Sequence, residues 1–174
     1  MSRARPSKTP PASEAPAVNP IDVLHRLLKL GNRLGAPFSE HLEKRFRVTI
    51  NEFRVIMLLG REGASASHEI AQLSGVTTMS VSRAVTSLER KGWITGAVDA
   101  GNRRRKILRL SKEGRALYKK MLPTADKVAV YLFDSLRPNE ILAFDNYVTT
   151  LIESLEARDE EGRSIFVERT RPES

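Results

Sequence analysis

The sequence of 174 residues contains no cysteine. That removes disulfides, thiolate nucleophiles, thiolate metal sites and any cysteine-based peroxide switch, and it is compatible with a reducing cytosol. Long apolar runs are missing too: the charge-free stretches at 55–59 and 128–133 fall far short of the ~18 residues of a membrane span. No apolar stretch of ~7 residues lies near the N-terminus, so no secretory signal is expected. Phosphate-cradling loops of the G-x4-G-K-S/T and G-x-G-x2-G types are absent, as is the G-x-S-x-G nucleophile elbow. The three histidines, His25, His41 and His68, have no partners at ligand spacing, so neither a metal nor another cofactor is expected. These absences argue against an enzyme.

What the sequence does have is positive charge, 29 Lys+Arg against 21 Asp+Glu for a formal +8, in a chain that is 40% hydrophobic and 29% charged. That balance is ordinary for a globular protein, and the length favours one folded domain. Pro6, Pro10, Pro11, Pro16 and Pro20 lie among Ser, Ala, Arg and Lys, which predicts a disordered basic arm over 1–19. Residues 159–174 read as a polar tail interrupted by Ile165, Phe166 and Val167.

Between the tails the spacing is mostly helical. Asn19 and Pro20 suit a helix start, and Leu24, Leu27, Leu28, Leu34, Phe38 and Leu42 recur at i+3/i+4 toward residue 45, with a kink expected around Gly31, Gly35 and Pro37. Thr49 and Glu52 form a capping box for a second helix predicted to end at Gly60. Ser67 is the expected cap of a short helix over 68–73, a turn follows at Ser74, Gly75 and Val76, and Thr77 opens a helix through Arg90 closed by Gly92. Thereafter the period changes to two: strands at 93–98 and 105–110 flank a polar loop, a basic hairpin in which Trp93 is expected as a core anchor. Ser111 caps a long helix bearing Leu117, Met121, Val128, Leu132 and Leu136, bent at Pro123, and Pro138 starts a last helix through Leu155.

The short turn between the third and fourth helices makes them a candidate helix-turn-helix. At about 100° per residue from Val81, Val85 and Leu88 stay within ~40°, whereas Met79, Arg83, Thr86 and Arg90 lie ~140–200° away. The outer face, with Thr77, Thr78, Met79, Ser80, Ser82, Arg83, Thr86, Ser87 and Arg90, is the candidate DNA-reading surface: the hydroxyls suit phosphates or groove edges and Arg83 suits a bidentate guanine contact. From Arg83 to Lys112 nine basic residues face two acidic ones, so +7 of the chain's +8 is local. Phosphate neutralisation requires such a footprint, and Asn102, Arg103, Arg104 and Arg105 form its wing portion. A non-specific architectural nucleic-acid binder and a DNA-free protein-interaction winged helix are the competing readings.

The order of elements, together with "RKGWI" (90–94) and "LRLSKEG" (108–114), resembles the MarR (multiple antibiotic resistance regulator) family of bacterial transcription factors over residues 20–158. The resemblance implies a mainly α fold with a two-stranded β wing, a winged helix-turn-helix (47–111) flanked by dimerisation helices at 20–46 and 112–158. It further implies a cytoplasmic, nucleoid-associated homodimer that binds a palindromic double-stranded DNA operator, commonly as a repressor. Where the family's wing carries Asp-x-Arg, this sequence reads Asn102-Arg103-Arg104: Arg104 matches and Asn102 departs. The resemblance also implies a small aromatic carboxylate effector between the dimer helices and the winged helix. The basic candidates to receive it are His25, Arg26, Arg33, His41 and Arg54, each with solvated or capping roles as the plain alternative.

Overall fold

The structure, a computed structural model, describes residues 18–99, 101 and 105–172. The chain divides into two compact units that meet in sequence between Leu117 and Tyr118. Apart from Val18 and Asn19, the expected N-terminal arm lies outside the described residues.

The first unit opens with α1 (Pro20–Phe46). Asn19 caps it, its side chain accepting the Ile21 N–H at 3.0 Å, and Pro20 occupies the first turn, where no N–H is needed. α1 runs as one continuous helix that includes Gly31, Gly35 and Pro37. It ends at Arg47, in the left-handed region at φ 54°, a conformation that costs a non-glycine residue about 1 kcal/mol. Two bonds hold it there: its N–H donates to Glu43 O at 2.9 Å, and its carbonyl accepts from Lys91 Nζ at 3.1 Å. Only Leu42 of α1 is buried, leaving Ile21, Leu24, Leu28 and Leu30 exposed.

α2 (Ile50–Glu62) begins with the expected capping box. Glu52 N–H donates to Thr49 Oγ1 at 3.2 Å, and Thr49 N–H donates back to the Glu52 carboxylate at 2.8 Å. The helix passes the expected stop at Gly60 because Val55, Ile56 and Leu59 keep that turn packed. It closes instead at Gly63, where φ is 84° and the N–H reaches Leu59 O at 3.0 Å. A two-residue strand, β1 (Ser65–Ala66), was not foreseen, being too short to carry a period. α3 (Ser67–Ser74) follows, and its cap is Ala66 rather than the expected Ser67, the Glu69 carboxylate accepting the Ala66 N–H at 2.7 Å. Gly75, at φ 64°, turns the chain. α4 (Thr78–Arg90) starts under Thr77, whose hydroxyl accepts the Ser80 N–H at 3.3 Å.

The hairpin of β2 (Ile94–Val98) and β3 (Lys106–Leu110) completes a three-stranded antiparallel sheet in the order β1-β3-β2. Its register pairs Ile94 with Leu110, Val98 with Lys106 and Ser65 with Leu108. Ile94, Leu108 and Leu110 are buried with Val48, Val55, Ile56, Leu59, Ile70, Val81, Val85 and Leu88, an apolar core beneath the helix-turn-helix. Trp93 is half-buried at the entry to β2, with Lys91 Nζ 5.0 Å from its ring centroid. α5 (Lys112–Phe133) is tied to that point: Ser111 N–H donates to Trp93 O at 3.0 Å, and a Cβ on Gly114 would lie 1.8 Å from the same oxygen. Only glycine fits there.

In the second unit α5 continues through Pro123 and stops at Phe133 instead of carrying Leu136. Leu136 N–H bonds Phe133 O at 2.9 Å in a tight turn, and Arg137 N–H is claimed by Glu140 at 2.8 Å to start α6 (Pro138–Glu156). Phe133 and Phe144 face each other across that turn, 6.1 Å between centroids. No residue of α6 is buried; Leu142, Tyr147, Leu151, Ile152 and Leu155 are exposed. The expected polar tail carries structure. Asp159 gathers the N–H groups of Glu161 (3.1 Å) and Arg163 (2.8 Å) into a turn, after which Ser164 caps α7 (Ile165–Thr170) beside α6. The three apolar residues noted in the tail open that helix.

Candidate nucleic-acid interface

The outer face of α4 follows from its inner one. Val81, Ala84, Val85 and Leu88 are buried, so the helix is clamped to the core and its opposite side must face outward. On that side Thr77, Thr78, Met79, Ser82, Arg83, Thr86 and Arg90 are exposed, and Ser80 and Ser87 are half-buried at its border. Met79, at 66% exposure, is an apolar tip beside polar neighbours, suited to a thymine methyl. Several hydroxyls are already oriented by the helix: Thr86 donates to Ser82 O at 3.0 Å, and Thr77 donates to the Ser80 hydroxyl at 3.0 Å. Among the described residues Arg83 and Arg90 pair with no carboxylate, and both guanidinium groups stand on the exposed face.

Two shallow grooves flank the start of α2. One, of about 250 Å³, is lined by Thr49, Asn51, Glu52, Ser80, Arg83, Ala84 and Ser87. The other is lined by Glu43, Arg47, Val48, Thr49, Glu52, Ser87, Arg90 and Lys91. Glu52 forms the wall between them and is 2% exposed. Burial alone would raise its pKa, but Lys91 Nζ at 2.7 Å, the Thr49 N–H and the Ser87 hydroxyl together hold the carboxyl below its ordinary value. The pair joins the α2 cap to the end of α4. Sequence reading assigned Glu52 to the cap and missed its second role, because Lys91 lies 39 residues away.

Of the wing residues, Asn102, Arg103 and Arg104 lie outside the described residues. Arg105 does not stand out as a free contact: its guanidinium pairs with Glu69 and, at 3.1 Å, with Asp99. The expected concentration of charge also changes. Lys91, Arg105 and Lys106 pair with Glu52, Glu69 and Glu89 respectively, and Glu52 and Glu69 lie outside the window 83–112. Those two carboxylates offset part of a basic run that counts nine basic against two acidic residues along the chain. It remains basic.

The expected effector residues are less gathered. His25, Arg26, Arg33 and His41 are exposed on α1, Arg54 is exposed on α2 with its guanidinium 3.1 Å from Asn51 Oδ1, and none of the five lines either groove. His68 is exposed at the start of α3. Among the described residues no cluster of three or more His, Asp or Glu is placed to hold a metal, and no helix is long and apolar enough to cross a membrane.

A clamped helix with a basic outer face, preceded by a glycine turn and followed by a basic hairpin, defines a winged helix-turn-helix. Residues 48–106 match the model of the MarR family. The chain is 27% identical over 151 residues to the HTH-type transcriptional repressor NicR of Pseudomonas putida, spanning 84% of this chain and 95% of that protein. Among solved structures, Bordetella bronchiseptica BpsR, described as regulated in DNA binding by 6-hydroxynicotinic acid, superposes with a TM-score of 0.66 at 23% identity, over 75% of this chain and 98% of that one. MepR of S. aureus, solved as a DNA complex, superposes at 0.65 with 24% identity, over 77% and 97%.

Proposed function

We propose that the chain is a homodimeric, cytoplasmic, sequence-specific DNA-binding repressor that a small aromatic carboxylate releases from its operator. The observation that carries the DNA reading is the division of α4 into a buried apolar side and an exposed face bearing Arg83 and Arg90 without carboxylate partners among the described residues. The MarR-family match, the repressor NicR and the DNA-bound MepR structure support the same assignment. Dimerisation rests on the exposed apolar residues of α1 and α6, which need cover in water. Two-fold pairing would set two α4 helices about one DNA turn, ~34 Å, apart and so select palindromes.

The effector reading rests on the acid named for BpsR and on the basic side chains of His25, Arg26, Arg33, His41 and Arg54. A ligand that dissociates the complex must prefer the DNA-incompetent dimer, and a hundredfold preference is about 2.7 kcal/mol of bias.

Footprinting the full chain on DNA flanking its own gene, followed by competition with scrambled duplex, tests the DNA reading. Protection of a palindrome that scrambled DNA does not compete away is expected; equal affinity for both would leave a non-specific architectural binder. Titrating benzoates, salicylates, cinnamates and hydroxynicotinates into the protein–operator complex tests the effector reading. If none shifts operator affinity or melting temperature, it is wrong.

A further inference from the structure

Arg105 belongs by position to the basic wing, yet its surroundings are acidic. One guanidinium nitrogen donates to Asp99 Oδ2 at 3.1 Å and another is paired with Glu69 Oε1. Asp99 and Arg105 stand at the two ends of the wing loop, where the Asp99 N–H also donates to Arg105 O at 2.8 Å. Glu69 lies on α3, 36 residues away. Its other oxygen, Oε2, accepts the Ala66 N–H at 2.7 Å and the Ser65 hydroxyl at 3.0 Å. Those two residues are β1, which pairs with β3 through Ser65–Leu108 and Ala66–Ile107. A single carboxylate thus ties together the start of α3, the strand before it and the base of the wing. Hydrogen bonds from Ala66 and Ser65 hold its pKa below the ordinary range, with Arg105 adding to them and partial burial opposing, so it is ionised at neutral pH.

From this juxtaposition we infer that Arg105 is a positioning residue and not a DNA contact: divided between Glu69 and Asp99, it fixes the wing relative to the helix-turn-helix, so that wing and α4 are presented to DNA as one surface. The inference rests on the DNA-binding reading above. A guanidinium donates through a rigid planar fork, so it can serve two carboxylates at fixed directions, which an ammonium cannot do with the same geometry.

The sign of one substitution separates this from the simpler alternatives. Were Glu69 merely a solvated acid near DNA, Glu69→Gln would remove a negative charge and tighten binding. As the anchor of Arg105, its neutralisation must weaken binding. The amide oxygen of Gln still accepts from Ala66 and Ser65, so the α3 cap is kept. We expect Glu69→Gln and Arg105→Ala each to weaken operator binding about two- to fivefold, the range of a partly exposed ion pair. The double variant should be no weaker than the worse single one, and the slope of log K against log salt should stay unchanged. Arg105→Lys keeps the charge and loses the fork, and is expected to behave like Arg105→Ala.

Tighter binding by Glu69→Gln, or a slope shallower by about one for Arg105→Ala together with wild-type behaviour of Arg105→Lys, would make Arg105 a phosphate contact and overturn the inference. Hydrogen exchange on the free proteins gives a reading independent of DNA. Amides of β2 and β3 near Val98 and Lys106 should exchange several-fold faster in Glu69→Gln, while those of α2 stay protected. Unchanged exchange there would also overturn it, whereas a wild-type chain that binds no duplex would overturn the functional reading alone.

Discussion

Arg83→Ala is the sharpest test of whether α4 reads DNA. Arg83 stands on the exposed face, has no acidic partner among the described residues, and is followed by Ala84 and Val85, which carry the packing of that turn. Truncating an exposed side chain away from the core changes folding stability by less than about 0.5 kcal/mol, and alanine is a good helix former, so the variant should melt with the wild type. Any change in DNA binding then belongs to the interface. A bidentate arginine–guanine contact contributes about 1–3 kcal/mol of discrimination, a five- to 150-fold loss on the operator. A contact to phosphate alone would weaken every duplex alike and make the salt slope shallower by about 0.9. Fluorescence anisotropy against the operator, its single-base variants and a scrambled duplex, across several salt concentrations, distinguishes the two. We expect the operator to lose far more than the scrambled duplex, and preference to relax at one base position in each half-site. Equal losses on both would refute base reading by Arg83 and with it the assignment of this face as the specificity surface.

Arg104→Ala, in the wing loop, should weaken operator and scrambled DNA nearly equally, with a salt slope shallower by about one; an unchanged slope would remove that arginine from the interface. Sedimentation at micromolar concentration should find a dimer, because the apolar residues of α1 and α6 exposed in the single chain need cover, and a stable monomer would refute this. The depressed pKa of Glu52 means that its ionised form stabilises the fold at pH above the ordinary 4.5, a contribution lost as pH falls through the lower folded value. Thermal melts from pH 7 to 3 should therefore show Glu52→Gln less stable by about 1–3 kcal/mol at pH 7, with the gap closing in acid. A gap that does not change with pH would show that the Lys91 pair carries none of it.

What the sequence determined by itself was whatever depends on neighbours along the chain. The Thr49–Glu52 capping box, the Thr77 cap, the glycine turn at Gly75 and the inner side of α4 are all set within a few residues, and hydrophobic spacing predicts them because helix and strand periods are local geometry. Local rules failed where two signals compete over a short stretch. Gly60 looked like a stop, but buried Leu59 kept the helix going to Gly63; Ser67 looked like a cap, but Glu69 reached back to Ala66. Only the tertiary structure decided which charges are spent. Lys91 meets Glu52 across 39 residues, Arg105 meets Glu69 across 36, and β1 exists only because β3 returns beside it. A carboxylate that lies far along the chain can neutralise a cation beside it in space, so a basic run in sequence overstates the charge a surface offers to DNA, and folding alone selects which arginines face outward.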